Sequence, residues 1–127
     1  DGRWVRRLCA AIIDAGLAEL IGDEHQVTDE ISTIPTPGHS PGHLSIRIRS
    51  RGEEAMLLGD VAHHPCQMAH LDWSSTFDSD PRQSAQTRET VFSAVAGTKT
   101  LVIGGHFDPG YVVRDGKAFR LSETPGK

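Results

Sequence analysis

The chain has little cysteine. Cys9 and Cys66 are the two in 127 residues, too few for a disulfide framework or a cysteine-rich zinc motif. Cys9 lies in an apolar run and reads as a core residue, whereas Cys66 lies among histidines and could stand near a metal. No apolar stretch approaches the ~18 residues of a membrane span. No signal peptide is read in it either, so the expectation is a cytoplasmic protein with no membrane partner. Neither sign of charge is in marked excess. A net charge of −4 gives no electrostatic reason to expect nucleic acid, and the short basic runs at Arg6–Arg7 and Arg47–Arg51 read as solvated surface. There is no internal repeat, linker or low-complexity segment. What remains is 37% apolar and 24% charged, with 13 glycines, the composition of one turn-rich domain with a modest core.

Histidine stands out against that background. The stretch TPGHSPGH, residues 36–43, places His39 and His43 four apart and yet cannot be a helix. Pro41 removes a backbone donor and fixes φ, while Gly38 and Gly42 permit angles that most residues avoid. The two rings are therefore displayed by a turning loop, not by one helix face.

Periodicity supplies the surroundings. Trp4, Val5, Leu8, Ala11, Ile12 and Ala15 recur at helical spacing, with Gly16 placed to end the helix. LAELIG (17–22) and HQVTD (25–29) read as short strands. EISTIP (30–35) reads as a strand leading into the histidine loop, LSIRIRS (44–50) as a strand with one buried face, and AMLLG (55–59) as a strand buried on both faces. Residues 61–80 lack a sustained period and read as a long surface excursion of the kind that carries function. A helix follows, with Asp80 as N-cap, Pro81 in its first position and Ala85, Phe92, Val95 and Ala96 as its buried stripe, ending at Gly97. TLVIGG (100–105) is a further buried strand, and YVVRD and KAFRL form a hairpin about Asp115–Gly116. Residues 122–127 read as a frayed tail.

Three polar residues share one position in this arrangement. His39, Asp60 and His106 each follow a strand that reads as buried. Singly, they fit a turn histidine, a cap and a residue packed beneath a loop. Together at strand ends, where layered α/β folds build their sites, two imidazoles and a carboxylate suit a divalent transition metal, above all zinc.

In this order, TPGHSPGH, LLGD and GGHF resemble the second half of the metallo-β-lactamase fold hydrolases. The histidine-bearing run DVAHHPCQMAHLDWSSTFDSDP (60–81) is similar to that of the lactonase-like and methyl-parathion-hydrolase-like members. The resemblance implies an α/β fold, the C-terminal half of an αββα sandwich: a mixed sheet with helices on one face. It implies that His39 binds one zinc, that Asp60 bridges two and is catalytic, and that His106 binds the second. His43 matches a histidine that supports the ligands by hydrogen bonding, and His64 joins it as a candidate for that role or for facing the substrate. Roles for His63 and His70 stay open. Trp73 and Phe77 either wall a pocket or anchor the excursion.

The family's other motif, H-x-H-x-D-H, does not occur in residues 1–127. The expectation is therefore that residues 1–127 form the C-terminal part of a metallo-β-lactamase-like domain. The parent would be a hydrolase with two zinc ions, or other divalent metals, acting on a small-molecule ester, lactone or phosphoester through a metal-bound hydroxide. The chain alone would be underfilled in ligands and inactive or nearly so. The alternative is a non-catalytic half-fold that associates with itself or with a partner chain. A third reading is a mononuclear module built on His39, His43 and Asp60.

Overall fold

The computed structural model describes residues 3–126. A helix, α1 (Arg3–Asp14), comes first and ends as expected: Gly16 adopts φ +67°, and its N–H and that of Leu17 close on the carbonyls of Ile13 and Ile12. Trp4, Val5 and Leu8, half of its expected stripe, have side chains outside the described residues. Cys9 is half-buried and stands apart from the core cluster, a correction to its reading as a core residue.

The expected strands at 17–22 and 25–29 do not form. Leu17 is 79% and Leu20 94% exposed, so this apolar run finds no surface to pack on. Of the second segment only an isolated bridge, Gln26 to Ser32, pairs with the sheet.

Four strands make the main sheet, β1 (Ile31–Pro35), β2 (Leu44–Ser50), β3 (Glu53–Gly59) and β4 (Leu101–Gly104), in that spatial order. The first two pairings are antiparallel and β3–β4 is parallel, which requires a crossover. The crossover holds a single helical turn, α2 (Cys66–Ala69), and the long helix α3 (Pro81–Val95). Asp80 caps α3, its Oδ1 accepting from the Gln83 N–H at 3.0 Å. A hairpin, β5 (Tyr111–Asp115) and β6 (Ala118–Ser122), turns at Gly116–Lys117, one residue later than expected.

The core lies on one side of the sheet. Met56, Leu58 and Val102 pack with Val91, Phe92 and Val95 of α3 and with Val112 and Phe119 of the hairpin. The stripe on α3 is Ser84, Arg88, Val91, Phe92 and Val95, whereas Ala85 and Ala96 are only half-buried. On the other side, Ile46, Ile48, Leu57, Leu101 and Ile103 lie in register across three strands, and none of them is buried. β3 is therefore buried on one face only, a correction to its reading as buried on both. The reason is that α2, α3 and the hairpin cover the same face. Among the described residues no helix is long and apolar enough to cross a membrane.

Candidate metal centre

The carboxyl-terminal ends of β3 and β4 and the loop after β1 meet at one edge of the sheet. The loop at 36–43 is closed at its base by the Thr36 N–H donating to the His43 carbonyl at 2.9 Å. Its tip leans on the start of α3. Ser79 N–H donates to the His39 carbonyl at 3.0 Å, Asp80 N–H to the Gly38 carbonyl at 2.9 Å, and the Thr87 hydroxyl to the Pro37 carbonyl at 2.6 Å. Glycine is required at 38. Its φ is +137°, and a Cβ there would lie 2.5 Å from the Ser84 backbone nitrogen.

The two loop histidines diverge in use. His43 turns inward, with Nδ1 at 2.8 Å from the Thr36 hydroxyl and 3.1 Å from the Thr36 carbonyl. Its Nε2 accepts from the Asp60 N–H at 3.0 Å. A neutral ring meets both the carbonyl and that N–H only as the Nδ1–H tautomer. Burial pushes the ring below its ordinary pKa, against the pull of Asp60, and so favours that neutral form. Gly59, at φ +58°, leaves room for it, since a Cβ would lie 2.9 Å from His43 Nε2. His43 thus ties the histidine loop to the backbone of Asp60.

His39 instead faces the Asp60 carboxylate. Its Nε2 is 3.5 Å from Asp60 Oδ2. On the other oxygen, Oδ1, His106 Nε2 lies at 2.8 Å and His63 Nε2 at 3.7 Å. The His63 ring stacks on His106 with centroids 5.0 Å apart and sits 5.2 Å from that of His39. Ligand atoms of His39, Asp60 and His63 all lie within 4.8 Å of one another. Burial alone would raise the Asp60 carboxyl, but the His106 hydrogen bond and the three surrounding imidazoles outweigh it and hold the carboxyl below its ordinary value. Nitrogen and carboxylate donors converging at 3.5–3.7 Å, too long for good hydrogen bonds, leave a gap that a divalent cation fits.

The structure thus brings His39, Asp60 and His106 together and adds His63. His64 is exposed and turned away, with Nδ1 accepting from the Cys66 N–H at 3.1 Å at the start of α2. His70 stacks on Trp73, centroids 4.1 Å apart, and Phe77 is 79% exposed. Sequence reasoning missed two further residues. Asp78 Oδ1 lies 3.1 Å from His39 Nδ1, and the fully buried Arg88 sits 3.6 Å from Asp78 Oδ2. The usable signal was Arg88, a lone charge on the apolar stripe of α3. Burial pushes its guanidinium below the ordinary value, with Asp78 opposing.

No protein-family profile and no curated protein matches the chain. Solved structures do. AidC, a dizinc quorum-quenching lactonase, matches with a TM-score of 0.85 at 20% identity, over 94% of this chain and 42% of that one. The hydrolase AbOPH of the beta-lactamase superfamily matches at 0.77 and 23% identity, over 97% of this chain and 43% of that one. This chain has the metallo-β-lactamase fold. A probable metal-dependent hydrolase from Staphylococcus aureus shows the same fold at a TM-score of 0.68 and 22% identity, over 87% of this chain and 42% of that one. The chain thus spans less than half the length of the metallo-β-lactamase fold structures it matches. Within the part it spans, the α/β class expected from the sequence is present, a mixed sheet with helices on one face.

Proposed function

We propose that this chain supplies the Asp60-centred part of a zinc-dependent hydrolase site, whose whole protein opens an ester, lactone or phosphoester. One observation carries the reading: the two oxygens of a single carboxylate are each faced by histidine nitrogen, Oδ2 by His39 at 3.5 Å and Oδ1 by His106 at 2.8 Å. That is the donor arrangement for a carboxylate shared between two cations. Likeness in fold to a dizinc lactonase and to a probable metal-dependent hydrolase supports it.

In this reading His39 and Asp60 would hold one ion, and His106 and Asp60 would hold the other in place of the hydrogen bond they now share. Bound zinc supplies a Lewis acid for the substrate oxygen and activates water at neutral pH. Asp60, ionised at neutral pH like any ordinary carboxylate, would accept a hydrogen bond from a water held there and orient it. His43 holds the Asp60 backbone and so sets where that carboxylate stands. Zinc sites take at least three protein ligands, so both ions need donors beyond His39, Asp60 and His106. His63 is one within reach, and an H-x-H-x-D-H segment on further polypeptide would supply the rest.

Zinc retention tests the site. After exhaustive dialysis the 127-residue chain should keep fewer than two equivalents, and Asp60→Asn should keep none; full retention by the variant would overturn the assignment. The reaction is tested by co-expression with a polypeptide carrying the H-x-H-x-D-H motif. Lactone, aryl-ester or phosphotriester turnover should then appear and vanish with Asp60→Ala, whereas turnover that survives the substitution would count against the reading.

A second reading is favoured by the open face of the sheet. Ile46 is 38% exposed, and its apolar neighbours on β3 and β4 share that face. In this reading the chain is a half-fold that covers the face by pairing with itself or with a partner chain.

A further inference from the structure

We infer that Asp78, clamped by Arg88, is a positioning residue that fixes the tautomer and orientation of His39. This rests on the reading of His39 as a metal ligand only for its consequence; the hold on the ring stands on contacts in the fold. The Asp78 side chain is fully buried. One oxygen faces His39 Nδ1 at 3.1 Å, and the other lies 3.6 Å from Arg88 Nη1 and accepts from the Ser75 N–H at 3.3 Å. A buried carboxylate so placed can only accept. A neutral His39 ring must then carry its hydrogen on Nδ1 and turn the Nε2 lone pair toward Asp60 Oδ2. Two acceptors facing each other across 3.5 Å have no hydrogen to share, and a cation between them resolves the conflict.

Arg88 explains why Asp78 stays in place. Its Nε donates to the Leu71 carbonyl at 3.0 Å, Nη1 to the Val61 carbonyl at 3.3 Å and Nη2 to the Ser74 hydroxyl at 3.1 Å. The guanidinium, carried by α3, is thus the hub around which the histidine-bearing excursion folds back. Two backbone bonds, from Ser79 and Asp80 to the carbonyls of His39 and Gly38, fasten the end of the excursion to the histidine loop. The ring of His39 is held from behind by a carboxylate and from its own main chain by the same segment. Carboxylate-to-histidine pairs of this kind set ring orientation and raise ligand basicity, and their loss costs about 10- to 100-fold in metal affinity.

The test reads the ring directly. Long-range proton–nitrogen NMR on the metal-free chain, at about pH 8 where ordinary imidazoles are neutral, should show His39 as the Nδ1–H tautomer. Asp78→Asn should lose that preference and weaken zinc binding about 10- to 100-fold, with Asp78→Glu recovering part of both. Thr90→Ala removes the bond from its own hydroxyl to the Gln86 carbonyl on the exposed side of α3, and should leave tautomer and affinity unchanged. An Nε2–H ring in the wild-type chain, a measurement that needs no variant to fold, would overturn the inference, as would an Asp78→Asn chain that keeps Nδ1–H. If the wild-type ring is as expected but the chain binds no zinc, it is the metal reading that fails, and the hold of Asp78 on His39 remains.

Discussion

The two faces of the four-stranded sheet draw on the same kinds of residue and meet different fates. On one, Met56, Leu58 and Val102 are at most 3% exposed beneath α3 and the hairpin. On the other, Ile46, Ile48, Leu57, Leu101 and Ile103 stay partly open. β2 makes the contrast sharpest: Ser45 is fully buried while Ile46, next in the chain, is 38% exposed. Ser45 tolerates burial because its hydroxyl donates to the Leu58 carbonyl and meets Thr36 Oγ1. Alternation therefore tells which residues share a face, and what lies over each face decides which one is the core.

The largest expected effect separates the faces by stability. Phe92→Ala, on the covered side, should cost about 3–5 kcal/mol in urea unfolding. Ile46→Ala, on the open side, should cost less than about 1 kcal/mol. Equal costs would mean that the open face is covered in solution.

The site lies at the edge of the sheet, and the histidine loop and the excursion that aim its side chains are fastened to α3, on the covered side. Asp60→Asn should accordingly lower zinc affinity by at least about 100-fold, the upper end of what removing a mere supporting partner does. Ile48→Ser, on the open face, should leave it within about twofold. Competition titration with a chromophoric chelator distinguishes the two, and a comparable loss in both variants would break the separation of site and open face.

Much of this was legible in the residues. His39, Asp60 and His106 could be placed because glycine and proline mark the loop and because strands end where their apolar runs end. His63 was not separable from His64, since no period runs through 61–80 to say which ring turns inward. Asp78 and Arg88 were missed for a related reason. Their partners, His39 and the carbonyls of Val61 and Leu71, are remote in sequence, and only the fold-back of the excursion brings them near. The strand expected at 17–22 failed because an apolar run needs a surface, and Leu20 has none. The burial expected on both faces of β3 presumed a second layer that the described residues do not provide.

Association offers a smaller and more local test. The apolar side chains left partly open on that face favour pairing, at ~25 cal/mol for each Å² that pairing buries. Sedimentation at micromolar concentration should show a dimer or larger assembly. Leu57→Lys puts a charge in the middle of that face, which pairing would have to desolvate, and should raise the dissociation constant about tenfold or more. A wild-type chain that is a monomer and binds no hydrophobic dye would show that the open face needs no cover.

The smallest effect expected lies in the pH dependence of stability, on the covered side where His43 is packed against Thr36 and Asp60. Burial lowers its pKa below the ordinary 6.5, so the fold prefers the neutral ring. The sign follows from linkage. Between the lowered native value and 6.5 the unfolded chain binds the proton that the folded chain resists, so the contribution of His43 is full above 6.5 and declines as the pH falls through that window. His43→Gln keeps an acceptor for the Asp60 N–H but does not titrate. The stability difference between wild type and this variant should be level from about pH 8 to about pH 7 and should shrink toward about pH 5. Taking the difference cancels His63, whose pKa burial also lowers and which would otherwise add a change of the same sign. A difference that grows on acidification would mean that the folded protein holds the His43 proton more tightly than the unfolded chain does. The Nδ1–H ring that accepts from Asp60 would then be the wrong state, and with it the account of how the histidine loop is tied to the carboxylate.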